Sequence, residues 1–221
     1  MSDHIILQPL DHELTFCADD LPLLTAQAVL PHWEGKKGGR FNRYYRACAD
    51  SFCRTCQSEL FPRAEAAYCR AREAASPIPQ WQARLTAAIT LQREHLISLR
   101  CDTRVTGMPQ RYAGCRGDTW DLRRGLLLSL PDCFPPRTPW RRRLLELAAD
   151  QIESWETQGI ARYHDGWHGA LGKAFHAHHF YLTEDGLCFF FPLGSIAPAA
   201  EGIPTFCLPY DDSTGPFIPN V

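Results

Sequence analysis

The stretch Phe180-Tyr181-Leu182-Thr183-Glu184-Asp185-Gly186-Leu187-Cys188-Phe189-Phe190-Phe191 decides the fold. Two apolar, aromatic-rich runs flank four polar or turn-forming residues, which is the pattern of a β-hairpin. Asp185-Gly186 offers the positive-φ turn that closes such a hairpin. Alternation along the second strand points one of Phe189 and Phe190 inward, so the two should differ sharply in their contribution to the core. Downstream, Ala197-Pro198 with Gly202 forms a compact turn before a last strand through Thr205 to Pro209.

Working upstream, residues 161–176 suit a short helix, and Thr138-Pro139 reads as the N-cap and first position of a longer one. That helix carries Leu144, Leu145, Ala148, Ile152 and Trp155 on one face and Arg143, Glu146, Asp150 and Glu153 on the other. Thr119-Trp120-Asp121-Leu122 and Leu126-Leu127-Leu128 flank Gly125 as a hairpin, and Trp81 to Thr106 reads as two strands around Arg93-Glu94. Phe41, Tyr44, Tyr45, Cys48, Phe52, Cys56 and Leu60 form a helical stripe, and Pro62 ends that helix or starts a second one reaching about Ala75. Trp33 to Gly39 is a turn-rich loop, and residues 4–30, broken at Pro9 and Pro22, hold two or three short strands. Strands at both ends with helices between antiparallel pairs predict an α+β fold: a mostly antiparallel sheet with helices packed on one face. Residues 1–79 form an N-terminal part and 80–221 a C-terminal α+β domain, together one compact unit.

The 221 residues carry 23 basic against 25 acidic side chains, a net charge of −2, which leaves no electrostatic footprint for nucleic acid. No apolar run approaches the roughly 18 residues of a membrane span. The N-terminus has neither the basic region nor the apolar run of a secretory signal, so a cytoplasmic location is expected. The ten cysteines mostly replace apolar residues, as in Leu187-Cys188-Phe189 and Phe206-Cys207-Leu208, and are expected to be buried, predominantly free thiols.

From Leu96 to Tyr210 the chain resembles a known domain family. Phe180 to Leu187 and Phe189-Phe190-Phe191 carry the resemblance, with Ile196-Ala197-Pro198, Gly202, Pro204 and Leu208-Pro209-Tyr210. Leu96-Ile97-Ser98-Leu99, Thr106-Gly107, Trp120-Asp121-Leu122, Gly125 and Leu128-Ser129-Leu130 follow the same order upstream. The family is the domain of unknown function found at the C-terminus of lysozyme-responsive anti-sigma factors and in the non-catalytic region of a peptidoglycan deacetylase. Over residues 22–75, Pro31, Gly35 and Asn42 resemble its companion domain more weakly. The resemblance implies an extracytoplasmic setting for the relatives and a non-catalytic binding or sensory role, with a protein or cell-wall-like glycan as partner and no cofactor.

Three departures bear on recognition. Gly107-Met108-Pro109-Gln110 stands where the family has Gly-Gly-Ala-His, Gly194-Ser195 replaces an aromatic-acidic pair, and Ala199 replaces an aromatic. The scaffold survives while groups suited to recognition change, which implies an altered or lost ligand. If the domain binds, the loops 107–111, 194–202 and the Trp33 segment should carry the site, with Trp33, Gln110, Arg111 and Ser195 as candidates.

Catalytic constellations are sparse, and the chain is expected not to be an enzyme. The alternative is a metal-dependent hydrolase using the His164–His179 cluster: His164 and His168, four apart, would share one face of a helix, with His176 as a third ligand. Cys53-Arg54-Thr55-Cys56 has redox or zinc spacing, but Cys56 lies on the apolar stripe with Cys48 and Phe52, which favours core packing. Asp211-Asp212 reads as a turn, and Arg141-Arg142-Arg143 as a solvated helix face that hints at an acidic partner.

Overall fold

The computed structural model describes residues 4–9, 14–34, 38–110, 112–211 and 213–219. In chain order the strands are β1 (His4–Pro9), β2 (Leu14–Ala18), β3 (Leu21–Glu34), β4 (Trp81–Arg93), β5 (Leu96–Thr106), β6 (Tyr112–Asp121), β7 (Leu126–Leu127), β8 (Phe180–Leu182), β9 (Gly186–Phe190) and β10 (Thr205–Pro209). The α-helices are α1 (Gly39–Thr55), α2 (Phe61–Glu73), α3 (Trp140–Thr157) and α4 (Trp167–Ala174). The larger sheet runs β1-β3-β4-β5-β6-β7 with β2 also on β3, and a second sheet runs β10-β9-β8. Helices with a large, mostly antiparallel sheet make this an α+β fold; the pair β3–β4 is parallel.

Contacts divide the chain into two compact units whose boundary runs through strands: residues 1–87 with 101–113, and residues 88–100 with 114–221.

The first unit is built on β3. That strand is a single run of 14 residues, longer than the short strands expected, and it reaches through Trp33 to Glu34. Strand β4 alternates cleanly, with Trp81, Ala83, Leu85 and Ala87 buried. The expected stripe of α1 supplies the facing layer: Phe41, Tyr45 and Phe52 are buried, followed by Cys56 and Leu60. A π-helical turn, Cys56–Leu60, joins α1 to α2. Pro62 stands in the first turn of α2, where its missing N–H breaks the regular ladder and a wider turn absorbs the gap.

The second unit holds residues 180–191, with β8 and β9 paired as the expected hairpin. Its closure differs from the Asp-Gly expectation. Gly186 lies inside β9, and the turn is held by the Thr183 hydroxyl, which accepts the Gly186 N–H at 3.2 Å and the Asp185 N–H at 3.3 Å. Glycine is required at 186 by close approach: a Cβ there would lie 2.4 Å from the Leu208 carbonyl oxygen. The one-sided alternation is also corrected, because every residue of β9 is buried. Leu187 and Phe189 join Phe191 and Phe206 in a core with Leu144, Ala148 and Ile152 of α3 and Trp167 and Leu171 of α4. Cys188 and Phe190 pack with Tyr181 on the other face, against Cys115 and Ile203.

Helix α3 starts one residue later than expected. Pro139 is its N-cap, without a side-chain capping bond, so Thr138 does not cap it. Cys188 and Cys207, directly opposed on β9 and β10, form a disulfide. That corrects the expectation for these two: placed face to face on paired strands, their side chains are within bonding reach.

Candidate functional site

The outer face of α3 carries the candidate site. Residues spaced three and four apart on a helix share one face, and here Arg142, Leu145 and Ala149 line up with Thr138 ahead of the helix. Together with Trp140, Arg141 and Glu146 they line an open groove of about 660 Å³. Its floor is apolar: Leu145 and Ala149 are half-buried, and the half-buried Trp140 ring lies 6.3 Å from that of Phe175.

Its rim is charged, but the arginines are already engaged. Arg141 donates to the Gly172 carbonyl of α4 at 2.8 Å and lies over the Phe175 ring, 5.6 Å from its centroid. A cation at carbonyls in the last turn of a helix is favoured by the helix dipole. Arg142 pairs with Glu146 at 3.4 Å, one helical turn on. Arg143 donates to the carbonyls of Thr214 and Gly215, at 2.5 and 3.0 Å, pinning the C-terminal segment. Two of the three therefore act as tethers to distant chain, which corrects the reading of a merely solvated face. The groove offers an aromatic ring, aliphatic surface and two guanidinium planes beside the Thr138 hydroxyl and the Glu146 carboxylate, a mixture suited to binding.

The sequence candidates fare differently. Trp33 is 5% exposed at the end of β3. Its ring meets Phe41 edge-on, and its backbone N–H and carbonyl are both held by the Asn42 side chain, at 2.8 and 3.0 Å. Trp33 is thus packed within the first unit, not presented on a loop, because β3 runs through the position. Gln110 is exposed in the bend after β5 of the same unit. Arg111 lies outside the described residues. Ser195, in the second unit, is half-buried, and its hydroxyl donates to the Pro192 carbonyl at 2.6 Å.

The histidines do not assemble as a helical pair. Gly166, in the left-handed region, precedes α4, so His164 stands outside the helix that holds His168. His164 Nε2 lies 3.2 Å from the Gly194 carbonyl oxygen, while the His168 ring stacks on Trp167 at 3.6 Å, with Nε2 3.4 Å from Glu153. The His176 ring lies 4.7 Å from that of His179. Among the described residues, no group of three or more His, Cys, Asp or Glu is arranged to hold a metal ion.

The Cys53–Cys56 pair and Asp211 sit in structural settings. Burial pushes the Cys56 thiol up to about 12, with the nearby Cys53 adding to it, and burial raises Cys53 as well. Nucleophilic sulfur chemistry needs the thiolate. Asp211 accepts hydrogen bonds from Ser213 and Thr214 that hold its carboxyl well below the usual range, which makes it a turn anchor. Its neighbour Asp212 lies outside the described residues. A missed feature is the buried triad in which the Ser98 hydroxyl meets that of Thr119 at 2.9 Å and accepts the Leu182 N–H at 2.8 Å. It is architectural, and no local sequence signal marks it.

The geometry defines an α+β domain with an open, partly apolar groove on α3. Residues 131–211 match the family described as protein of unknown function (DUF3298), and the α3 groove lies inside that segment. Among solved structures, a DUF3298 family member from Bacteroides fragilis aligns with a TM-score of 0.64 at 15% identity, covering 95% of this chain and 91% of that one. A DUF3298 family protein from Pseudomonas aeruginosa aligns at 0.58 and 17% identity, covering 94% and 90%. At such identities the likeness is one of fold. No curated protein matches the chain. Among the described residues, no helix is long and apolar enough to cross a membrane.

Proposed function

We propose that this protein is a non-catalytic binding or sensory module, related to the extracytoplasmic domains of anti-sigma factors, that recognises a protein or a cell-wall-like glycan. The observation that carries this reading is the α3 groove: aromatic and aliphatic floor, arginine rim, inside the DUF3298 segment. Sugar rings and peptide side chains both use such aromatic surface, and hot spots of recognition favour Trp and Arg. Gln110, Arg111 and Ser195 are secondary positions of recognition, at loops that depart from the family pattern. The Cys188–Cys207 disulfide supports an oxidising compartment over the cytoplasm.

The test is calorimetry against peptidoglycan fragments and lysozyme-like proteins. Trp140→Ala should weaken any binding roughly thirtyfold, the effect of losing about 2 kcal/mol at a hot spot. Leu145→Glu should do the same by charging the floor. Affinity unchanged in both variants removes the groove, and affinity also unchanged in Gln110→Ala with Arg111→Ala removes the loops. Absence of binding to the whole panel overturns the proposed ligand classes.

A further inference from the structure

His176, His178 and His179 crowd one turn just before β8, closed by the His179 N–H donating to the His176 carbonyl at 3.0 Å. The His179 ring lies flat on that of Phe190, with centroids 5.0 Å apart and planes 10° apart, and the His176 ring is 4.7 Å away. Phe190 is 2% exposed, and its N–H donates to the His179 carbonyl at 3.0 Å. One residue therefore covers the ring and pairs with the end of β9. The His179 Nδ1 is buried without a hydrogen-bond partner. A neutral imidazole tolerates this as an idle acceptor, whereas an imidazolium there would be a buried, unpaired donor.

We infer that the His176–His179 turn is a proton-operated latch over the second face of the three-stranded sheet. Neutral, it lies on Phe190; protonated, the like charges in one turn lift it and uncover the Phe190 ring. Burial first, then the charges of His176 and His178, hold the His179 imidazole below the usual histidine value. Around the same cluster, β8 brings the Tyr181 hydroxyl, β6 the Cys115 thiol, and β5 the cationic Arg100, which donates to Tyr181 Oη at 3.5 Å. Phe190 of β9 brings no titratable group.

The direction follows from linkage. With the folded value depressed, the unfolded chain takes up the proton first, so the latch is fully closed above the ordinary histidine value near 6.5. Its closure weakens as pH falls below that and through the folded value. The device is separate from the α3 groove and stands whether or not the groove binds.

Hydrogen exchange at the Phe190 amide reads the latch directly, because that N–H bonds the His179 carbonyl. After correction for intrinsic rates, its opening should rise about tenfold from pH 7.5 to pH 5.0, relative to the Ile152 amide in α3. His179→Phe keeps a ring on Phe190 and cannot charge, so the rise should vanish. His176→Gln with His178→Gln should reduce it. No rise in the wild type, or an equal rise in His179→Phe, overturns the latch. If His179→Phe does not fold, the double glutamine variant decides, and a rise as large as the wild type's overturns it.

Discussion

Replacing Phe189 and Phe190 by alanine, one at a time, tests whether β9 is covered on both faces. Phe189 is 1% exposed and meets three rings, those of Phe206, Phe191 and Phe175, at 5.6, 6.1 and 6.3 Å. Phe190 is 2% exposed and meets His179 at 5.0 Å and Tyr181 at 6.3 Å. Buried Phe→Ala changes cost about 3–5 kcal/mol, set by how far the cavity can collapse. Phe189→Ala belongs near the top of that range, since the core cluster it joins is walled by α3, α4 and β10. Phe190→Ala belongs near the bottom, about 3 kcal/mol, because the histidine turn can settle into the vacated space. Urea unfolding at pH 7.5 gives both values from the shift in midpoint, provided the slope is unchanged. A loss below about 1 kcal/mol at Phe190 beside a full loss at Phe189 would refute the two-sided packing and restore simple alternation.

Three further outcomes are expected. Denatured, unreduced protein should titrate eight thiols, those of the cysteines outside the Cys188–Cys207 bridge, and ten after reduction; opening the bridge with Cys207→Ser should cost about 3 kcal/mol, the chain-entropy value for a loop with a separation of 19. Gly117→Ala should lower the melting temperature markedly, since its Cβ would lie 1.7 Å from the Phe180 carbonyl oxygen and the backbone must move, at about 1–3 kcal/mol or more. Asp211→Asn should lower the melting temperature at pH 7, and the gap should close only below about pH 4. The depressed carboxyl stabilises above its unfolded value near 3.9, and that contribution fades as pH falls through the folded one.

Local patterns carried the architecture because each is written in neighbouring residues. The stripe from Phe41 to Leu60, the hairpin around Thr183 and the final strand at Thr205 all follow from period and turn chemistry. Errors came where a distant partner sets the local choice. Gly186 looks like a turn glycine, yet the Leu208 carbonyl on β10 dictates it. Alternation lets only one of Phe189 and Phe190 face inward, but Tyr181, Cys188 and the histidine turn bury Phe190 while the main core buries Phe189. Trp33 reads as a loop aromatic until Asn42, nine residues on, holds its backbone.

The candidate site was illegible for the same reason. Arg141, Arg142 and Arg143 are identical in type and adjacent in sequence, so composition assigns them one role. Their partners separate them: Gly172 is 31 residues away from Arg141, Glu146 is four from Arg142, and Thr214 is 71 from Arg143. Only Arg142 is satisfied within its own helix by an exposed pair, the kind worth little in water. It is therefore the arginine whose guanidinium can be redirected to a ligand at least cost, whereas moving Arg141 or Arg143 would untie α4 or the C-terminal segment. If the groove binds an acidic or sugar group, Arg142→Ala should weaken binding while leaving stability nearly unchanged. Arg143→Ala should do the reverse, and a matching pattern in both variants would refute this division of roles.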